Sequence, residues 1–176
     1  MTRRRHWIPP ALLTAMAVSA ALAIPAGAAE IWSGRTLAFS KPAFGSPAII
    51  TNQDRIRPTY WITRGNTQGI FNAALESGFL HNVSPKDTEW SNGDAVNYPL
   101  LTFQTWDAWS GDNPPSKVGV NAVMHLIADD IYIDVVFDRW GQGPAGGGAF
   151  TYHRGEKPLV TPTQSTSWGR IKHLYH

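Results

Sequence analysis

The sequence predicts an all-β fold, an antiparallel β-sandwich of jelly-roll or immunoglobulin-like type with at most one or two short helices. Two observations predict it. Short apolar and aromatic segments recur along the chain, and none keeps a helical period over a long stretch. Clusters of Gly, Pro, Asn, Asp and Ser separate these segments, as they do in sandwiches and barrels, whereas an α/β fold would alternate strands with longer helical patterns.

The predicted strands are rich in β-branched and aromatic side chains, which favour a pleated and half-buried surface. Gly69–Gly78 is predicted to form a short helix, because its apolar residues would share one helical face. Gly141–Gly148 (GQGPAGGG) is interpreted as a flexible connection, since it lacks the Lys-Ser/Thr pair of a phosphate-binding loop and leads into a strand. In chain order, the predicted strands are Ile31–Ser40, Tyr60–Thr63, Asn97–Phe103, Ala122–Ala128, Ile131–Phe137 and Ala149–Arg154.

Residues 1–28 have the pattern of a secretory signal peptide. Three arginines precede an apolar run, Ala11–Ile24, and the small residues Ala26-Gly27-Ala28 follow it. The run is shorter than the roughly 18–20 residues that span a bilayer. We therefore expect a secreted or periplasmic protein whose mature chain has no transmembrane anchor. Export through the general secretory route and through the twin-arginine route both remain open.

The mature chain divides into a domain and a tail. Residues 30–154 form the predicted sandwich domain, and residues 155–165 have the Pro/Thr/Ser composition of a linker. Residues 166–176 are predicted to form a short amphipathic segment, in which Trp168, Ile171 and Leu174 are spaced as on one helical face.

Composition excludes several functions. The chain has no cysteine, which excludes thiol catalysis, thiolate zinc sites and iron–sulfur clusters. Its 15 Lys and Arg nearly balance its 13 Asp and Glu, and three of the arginines belong to the predicted signal peptide. Since no basic cluster remains in the domain, we do not expect nucleic acid to be a partner.

The stretch MHLIADDIYIDVVF (Met124–Phe137) predicts a β-hairpin that turns at Asp129-Asp130. If Ala128 pairs with Ile131, side-chain alternation gives the hairpin one wholly apolar face. The same pairing, which a four-residue turn at 128–131 would keep, places His125 directly opposite Asp134.

His125 and Asp134 have two open interpretations. They form either a cross-strand polar pair of structural value only, or the base and orienting group of a hydrolase or two ligands of a metal. No motif elsewhere supplies a nucleophile. Asp129 and Asp130 are candidates for a surface calcium site, although their spacing differs from that of a calcium-binding loop. No other cofactor is expected.

Tryptophan is abundant, and WDAWSGDNPP places Trp106 and Trp109 on either side of Asp107 in a polar, proline-bearing loop. Exposed aromatic rings beside carboxylates suit sugars or peptides, so these three residues are the candidate ligand-binding set. The alternative is that the tryptophans fill the core of a small domain.

Three parts of the chain carry specific strings, namely NQDRIRPTYWITRGNTQGIFNAA (Asn52–Ala74), SPKDTEW (Ser84–Trp90), and VGVNAVMHLIADDIYIDVVFDRWG with GGGAFTYHR, both within Val118–Arg154. In these parts the chain resembles a family of uncharacterised exported bacterial β-rich proteins. The shared strings N-Q-D-R-I, W-[IL]-T-R-G-N-T-Q-G and H-L-I-[AS]-D-D-I-Y-[IL]-D are specific, and the resemblance extends from Glu30 to Arg154. It implies a secreted β-rich domain with a short C-terminal tail, and it assigns no activity and no residue role.

These observations favour an exported, non-catalytic binding or surface-associated module whose partner is a glycan or an envelope protein. The aromatic-rich strands and the lack of a complete catalytic motif point to this function. The alternative is a secreted hydrolase or metal-binding protein that uses His125 and Asp134.

Overall fold

The computed structural model describes residues 28–159. The predicted signal peptide up to residue 27 and the predicted terminal segment, residues 166–176, lie outside this range. Of the predicted linker, residues 155–159 are described, and they contain neither helix nor strand. Within the described range, no helix is long and apolar enough to cross a membrane.

The described chain is mostly β, as the sequence predicts. Its one α-helix, α1, covers Trp106–Ser110, and short 3-10 turns lie at Ile50–Asn52, Ala95–Leu100, Pro114–Lys117 and Pro144–Gly146. The strands are β1 (Glu30–Trp32), β2 (Leu37–Lys41), β3 (Asp54–Arg57), β4 (Tyr60–Arg64), β5 (Ile70–Asn72), β6 (Thr88–Asn92), β7 (Asn121–Leu126), β8 (Ile131–Trp140) and β9 (Phe150–Arg154).

The strands form two sheets. The larger sheet has six strands. Five of them are antiparallel in the order β2-β9-β8-β7-β6, and the sixth, β1, pairs in parallel with the first residues of β8. Because β9 pairs with the later residues of β8, β1 and β9 follow one another along the same side of that strand. The smaller sheet, β3-β4-β5, is antiparallel throughout.

The core lies between the two sheets and contains residues of both. The larger sheet contributes the apolar face of β7 and β8, and the smaller sheet contributes Tyr60, Ile62 and Ile70, which are fully buried. Alternation along each strand directs these side chains inward, as in a sandwich. The fold class predicted from the sequence, an all-β sandwich, is therefore confirmed.

Some predicted elements are wrong. Asn97–Phe103 forms no strand, because a 3-10 turn covers its first half and includes Pro99. Gly69–Gly78 is not a helix, because Ile70–Asn72 pairs with β4 and the chain then turns. The sequence analysis also missed β3 and β6, whose polar composition hides their strand character.

The hairpin of β7 and β8 forms with the predicted faces but with a different register. Leu126 pairs with Ile131 and His125 pairs with Tyr132, so the connection is the four-residue loop 127–130. The predicted pairing of His125 with Asp134 is wrong by two residues. Since side chains repeat every two residues along a strand, a shift of two leaves the apolar face intact.

Tertiary contacts account for the longer loop. The Tyr60 hydroxyl accepts a hydrogen bond from the Ala128 amide at 3.1 Å, and Arg57 Nε donates to Asp129 Oδ2 at 2.9 Å. Asp130 takes a left-handed conformation with φ of 51°. A two-residue turn would need positive φ at both aspartates, and the four-residue loop needs it at Asp130 only.

The glycine-rich connection between β8 and β9 is ordered by a close approach of two backbones. Gly148 has φ of +68°, and a Cβ atom there would lie 1.7 Å from the carbonyl oxygen of Gly65. Only glycine permits this approach, which joins the connection to the end of β4. The connection was predicted to be flexible, and in the structure it contains a 3-10 turn at Pro144–Gly146 and lies against Gly65 through Gly148.

Candidate ligand-binding cleft

An open cleft of about 450 Å³ lies where α1, the end of β4 and the connection between β8 and β9 meet. Its apolar walls are Phe79, Trp106, Trp140, Pro114 and Pro115. The remaining lining is mostly polar and comprises Arg64, Gln68, His81, Asp107, Ser110, Asp112 and Gln142, with Gly69 and Gly143. Small-molecule sites have this size, and they combine apolar walls with polar groups that orient the ligand.

The aromatic walls are held by ring contacts. Trp106 stacks against Trp140 with ring centroids 5.7 Å apart, and the Arg64 guanidinium lies 3.9 Å from the centroid of the Trp140 ring. Trp106 also packs against Trp90 in the core, at 5.0 Å in an edge-to-face arrangement. The cleft wall is thus continuous with the hydrophobic core, which fixes its shape before any ligand binds.

Arg64 is a buried cation at the cleft and has no carboxylate partner within the described chain. Its Nε donates to the Gln68 carbonyl at 2.7 Å, and its Nη1 donates to the carbonyls of Gly141 and Ala149 at 2.9 and 3.2 Å. The Nη2 group forms no hydrogen bond to the residues described. Burial lowers the pKa of Arg64 to about 10, so the guanidinium stays charged at neutral pH.

His81, Asp107 and Asp112 form a second polar group at the cleft. The His81 Nδ1 atom lies 2.8 Å from Asp107 Oδ2 and 3.9 Å from Asp112 Oδ1. The Asp107 carboxylate also accepts a hydrogen bond from the Asn82 amide. Asp107 is buried, whereas His81 and Asp112 are exposed.

Local structure brings these three residues together. Helix α1 ends at Ser110, Gly111 caps it with a left-handed φ of 62°, and Asp112 follows with φ of 55°. The chain thereby folds back, and the Asp112 amide donates to the Asp107 carbonyl at 3.1 Å. His81 comes from the connection between β5 and β6, next to Asn82, whose φ is 61°.

The predicted ligand-binding residues do not form an exposed aromatic pair. Trp106 and Trp109 are buried in the core, at 1% and 4% exposure, and the Trp109 indole donates to Asn92 Oδ1 at 2.8 Å. The alternative interpretation, that the tryptophans fill the core, therefore applies to both Trp106 and Trp109. Trp106 and Asp107 nevertheless line the cleft, so the loop WDAWSGDNPP contributes to it at the predicted place.

His125 lies away from the cleft and is largely enclosed. Its ring stacks on Tyr132 at 4.0 Å, with the planes 3° apart. Its Nδ1 lies 2.8 Å from Glu89 Oε1, and its Nε2 lies 3.3 Å from Asp130 Oδ1. Both ring nitrogens thus have carboxylate partners, and Asp134 is neither of them.

Asp134 binds the backbone instead. Its Oδ2 accepts a hydrogen bond from the Gly34 amide at 2.8 Å, and its Oδ1 accepts one from the Ala95 amide at 2.6 Å. Arg35 Nη2 lies 3.7 Å away. The carboxylate is buried and ties two loops to β8. The predicted His125–Asp134 dyad is therefore corrected, because its members face different partners.

The candidate calcium residues also have separate partners. Asp129 pairs with Arg57, and Asp130 lies beside His125. Among residues 28–159, the group of three or more metal-ligating side chains that converges is His81, Asp107 and Asp112. A calcium site at Asp129 and Asp130 stays a prediction.

The sequence analysis missed Arg64, His81 and Asp112. His81 belongs to no metal-binding motif, and its partner Asp107 is 26 positions further along the chain. Arg64 is the last residue of β4, and the pattern of residues along this strand cannot show that the strand ends beside α1 in the folded protein. The two aspartates of WDAWSGDNPP, Asp107 and Asp112, were the feature of the sequence that could have indicated this site, and only Asp107 was predicted to bind a ligand.

No protein family, no curated protein and no solved structure matches this chain. The resemblance to exported bacterial β-rich proteins stays a prediction.

Proposed function

We propose that the protein is an exported, non-catalytic binding module that holds a carbohydrate in the cleft. The observation that carries this proposal is the cleft itself, about 450 Å³ in volume with three aromatic side chains and two adjacent prolines in its walls. Export is proposed from the signal-peptide pattern of residues 1–28.

The chemistry of the lining suits a sugar ring. Such a ring has apolar C–H faces and a rim of hydroxyl groups that both donate and accept hydrogen bonds. The partly exposed rings of Phe79 and Trp140 offer apolar surface, whereas Gln68 and Gln142 each offer a donor and an acceptor. A ligand with both kinds of surface would therefore find both kinds of partner.

The charged groups add directional contacts. The free Nη2 of Arg64 can donate to a ligand oxygen, and the carboxylates of Asp107 and Asp112 can accept from ligand hydroxyls. Hydrogen bonds to charged groups contribute about 1.5–3 kcal/mol, more than those between neutral groups. Since Arg64 is anchored by three backbone carbonyls, it needs little ordering to bind.

Binding is preferred to catalysis because the hydrolase hypothesis depended on His125 facing Asp134. The structure pairs His125 with Tyr132 and gives Asp134 to backbone amides. Neither residue lines the cleft.

A glycan array probed with the full chain tests the proposal. We expect retention of a limited set of glycans, and quenching or enhancement of tryptophan fluorescence when the same glycans are titrated, because Trp106 and Trp140 line the cleft. Gln68→Ala and Gln142→Ala change exposed side chains of the lining and should weaken binding about three- to tenfold.

Gln104→Ala provides the matched control. Gln104 is exposed, lies outside the cleft and pairs with Trp90 through its backbone, so its side chain should not affect binding. An array with no retained glycan would contradict the proposal. So would glycan affinities that fall equally in the Gln142 and Gln104 variants.

A further inference from the structure

We propose that His81, Asp107 and Asp112 form a binding site for a divalent transition-metal ion, Zn²⁺ in preference to Ca²⁺, at the edge of the cleft. The proposal goes beyond carbohydrate binding and does not depend on it. One imidazole nitrogen and two carboxylate oxygens converge here from two separate parts of the chain.

The spacing of the ligand atoms fits one ion. The three donor atoms lie within 4.8 Å of one another, with His81 Nδ1 at 2.8 Å from Asp107 Oδ2 and at 3.9 Å from Asp112 Oδ1. Zinc bonds to nitrogen and oxygen are about 2.0–2.2 Å long, which puts neighbouring ligand atoms about 3–3.5 Å apart. Small rotations of the side chains would bring the three donors to that spacing.

The burial of the three side chains favours such an adjustment. Asp107 is 5% exposed and fixed by the Asn82 amide, so it provides an oriented ligand. His81 and Asp112 are 63% and 69% exposed, so they can rotate towards an ion without disturbing the core. An oriented ligand supported by a backbone hydrogen bond is a common feature of metal sites.

The local charge also favours a cation. Two carboxylates lie beside one imidazole, and no Lys or Arg of the described chain forms an ion pair with either Asp107 or Asp112. The partners of the buried Asp107 carboxylate are the His81 imidazole and the Asn82 amide, and a divalent ion bound there would compensate its charge together with that of Asp112. The presence of an imidazole ligand selects Zn²⁺ over Ca²⁺, which prefers oxygen alone.

The site would leave coordination positions open. Three protein ligands are fewer than the four of a closed structural zinc site, and all three side chains line the cleft. An ion held there could therefore accept an oxygen atom of a ligand in the cleft.

Isothermal titration of the full chain with ZnCl₂ alone, after dialysis against a chelator, tests the site. We expect saturable binding of Zn²⁺ to the wild type. In His81→Ala and in Asp112→Asn, one equivalent of bound Zn²⁺ should be lost, or the affinity for it should fall at least about tenfold. CaCl₂ should bind these residues more weakly than ZnCl₂. Both substitutions change exposed side chains, and unchanged thermal unfolding would show that the fold is kept.

His153→Ala is the matched control for adventitious binding. His153 Nδ1 lies 2.7 Å from Asp138 Oδ2 at the surface, and among the described residues this imidazole and carboxylate have no third ligand. Its variant should bind Zn²⁺ like the wild type. The proposal is overturned if the wild type takes up no Zn²⁺, if the His81 and Asp112 variants bind as the wild type does, or if Ca²⁺ binds these residues more tightly.

Discussion

The Arg154 guanidinium binds the Asp54 carboxylate through two hydrogen bonds, from Nε to Oδ2 at 2.6 Å and from Nη2 to Oδ1 at 2.9 Å. Arg154 belongs to β9 of the larger sheet and Asp54 to β3 of the smaller one, so this buried pair connects the two sheets. The Tyr152 hydroxyl donates to the same Oδ2 atom at 2.5 Å. Burial alone would lower the pKa of Arg154, but its hydrogen bonds and charge interaction with Asp54 outweigh burial and raise it.

Removal of one member of this buried pair should destabilise the fold strongly. Asp54→Ala leaves the guanidinium buried without its partner, which costs about 3–5 kcal/mol of unfolding free energy. Urea denaturation followed by tryptophan fluorescence measures this loss. Asp129→Ala removes the partner of Arg57 at the surface and should cost at most about 1 kcal/mol. Equal losses in the two variants would show that the Arg154–Asp54 pair does not hold the sheets together.

Tyr152→Phe should destabilise the fold at neutral pH, and this loss of stability should become smaller at alkaline pH. Burial, followed by the nearby charge of Asp54, raises the pKa of Tyr152 well above its ordinary value of 10.0. At neutral pH, loss of the hydrogen bond to Asp54 should cost about 1.5–3 kcal/mol. Above pH 10 the unfolded wild type ionises at Tyr152 while the folded protein does not, so the wild type loses stability that the variant keeps.

The difference between wild type and Tyr152→Phe should therefore shrink by up to about 1.4 kcal/mol per pH unit above pH 10. Denaturation at a series of pH values from 8 to 11 measures it. All other ionisable groups are common to the two proteins, so their contributions cancel in the difference. A difference that stays constant across this range would mean that Tyr152 ionises alike in the folded and unfolded chains.

Gly148→Ala should destabilise the connection between β8 and β9 more than Gly143→Ala does. Both glycines have positive φ, where an alanine costs about 1–3 kcal/mol. A Cβ atom at Gly148 would also collide with the Gly65 carbonyl, whereas nothing lies within 4 Å of a Cβ at Gly143. Thermal unfolding compares the two variants, and equal melting temperatures would rule out the close approach of residues 148 and 65.

Asp134→Asn should behave as a structural substitution. The amide that replaces one carboxylate oxygen cannot accept from both the Gly34 and Ala95 amides, so about 1–3 kcal/mol of stability should be lost. Asp138→Asn, which changes an exposed partner of His153, serves as the control and should cost less than about 1 kcal/mol. If Asp134→Asn folds with wild-type stability, its carboxylate has a role other than to bind these two loops.

The sequence by itself determined the fold class and the two faces of the central hairpin. Alternation of apolar residues over Ala122–Leu126 and Ile131–Phe137 specifies which side chains face the core, because strands repeat every two residues. The same pattern does not distinguish registers that differ by two, since both bury the same set. The pairing of His125 was therefore open until the contacts of Tyr60 and Arg57 with the loop 127–130 were known.

Only the tertiary structure decided the location of the cleft and the composition of its polar groups. His81 and Asp107 meet because two connections lie side by side at the end of the sandwich, and Arg64 joins them at the end of β4. This proximity depends on how the two sheets pack, and the periodicity of apolar residues along one strand does not predict it. The segment WDAWSGDNPP stands out in the sequence by its two tryptophans. That Trp106 and Trp109 are buried depends on the tertiary structure, because both rings pack into the core of the domain.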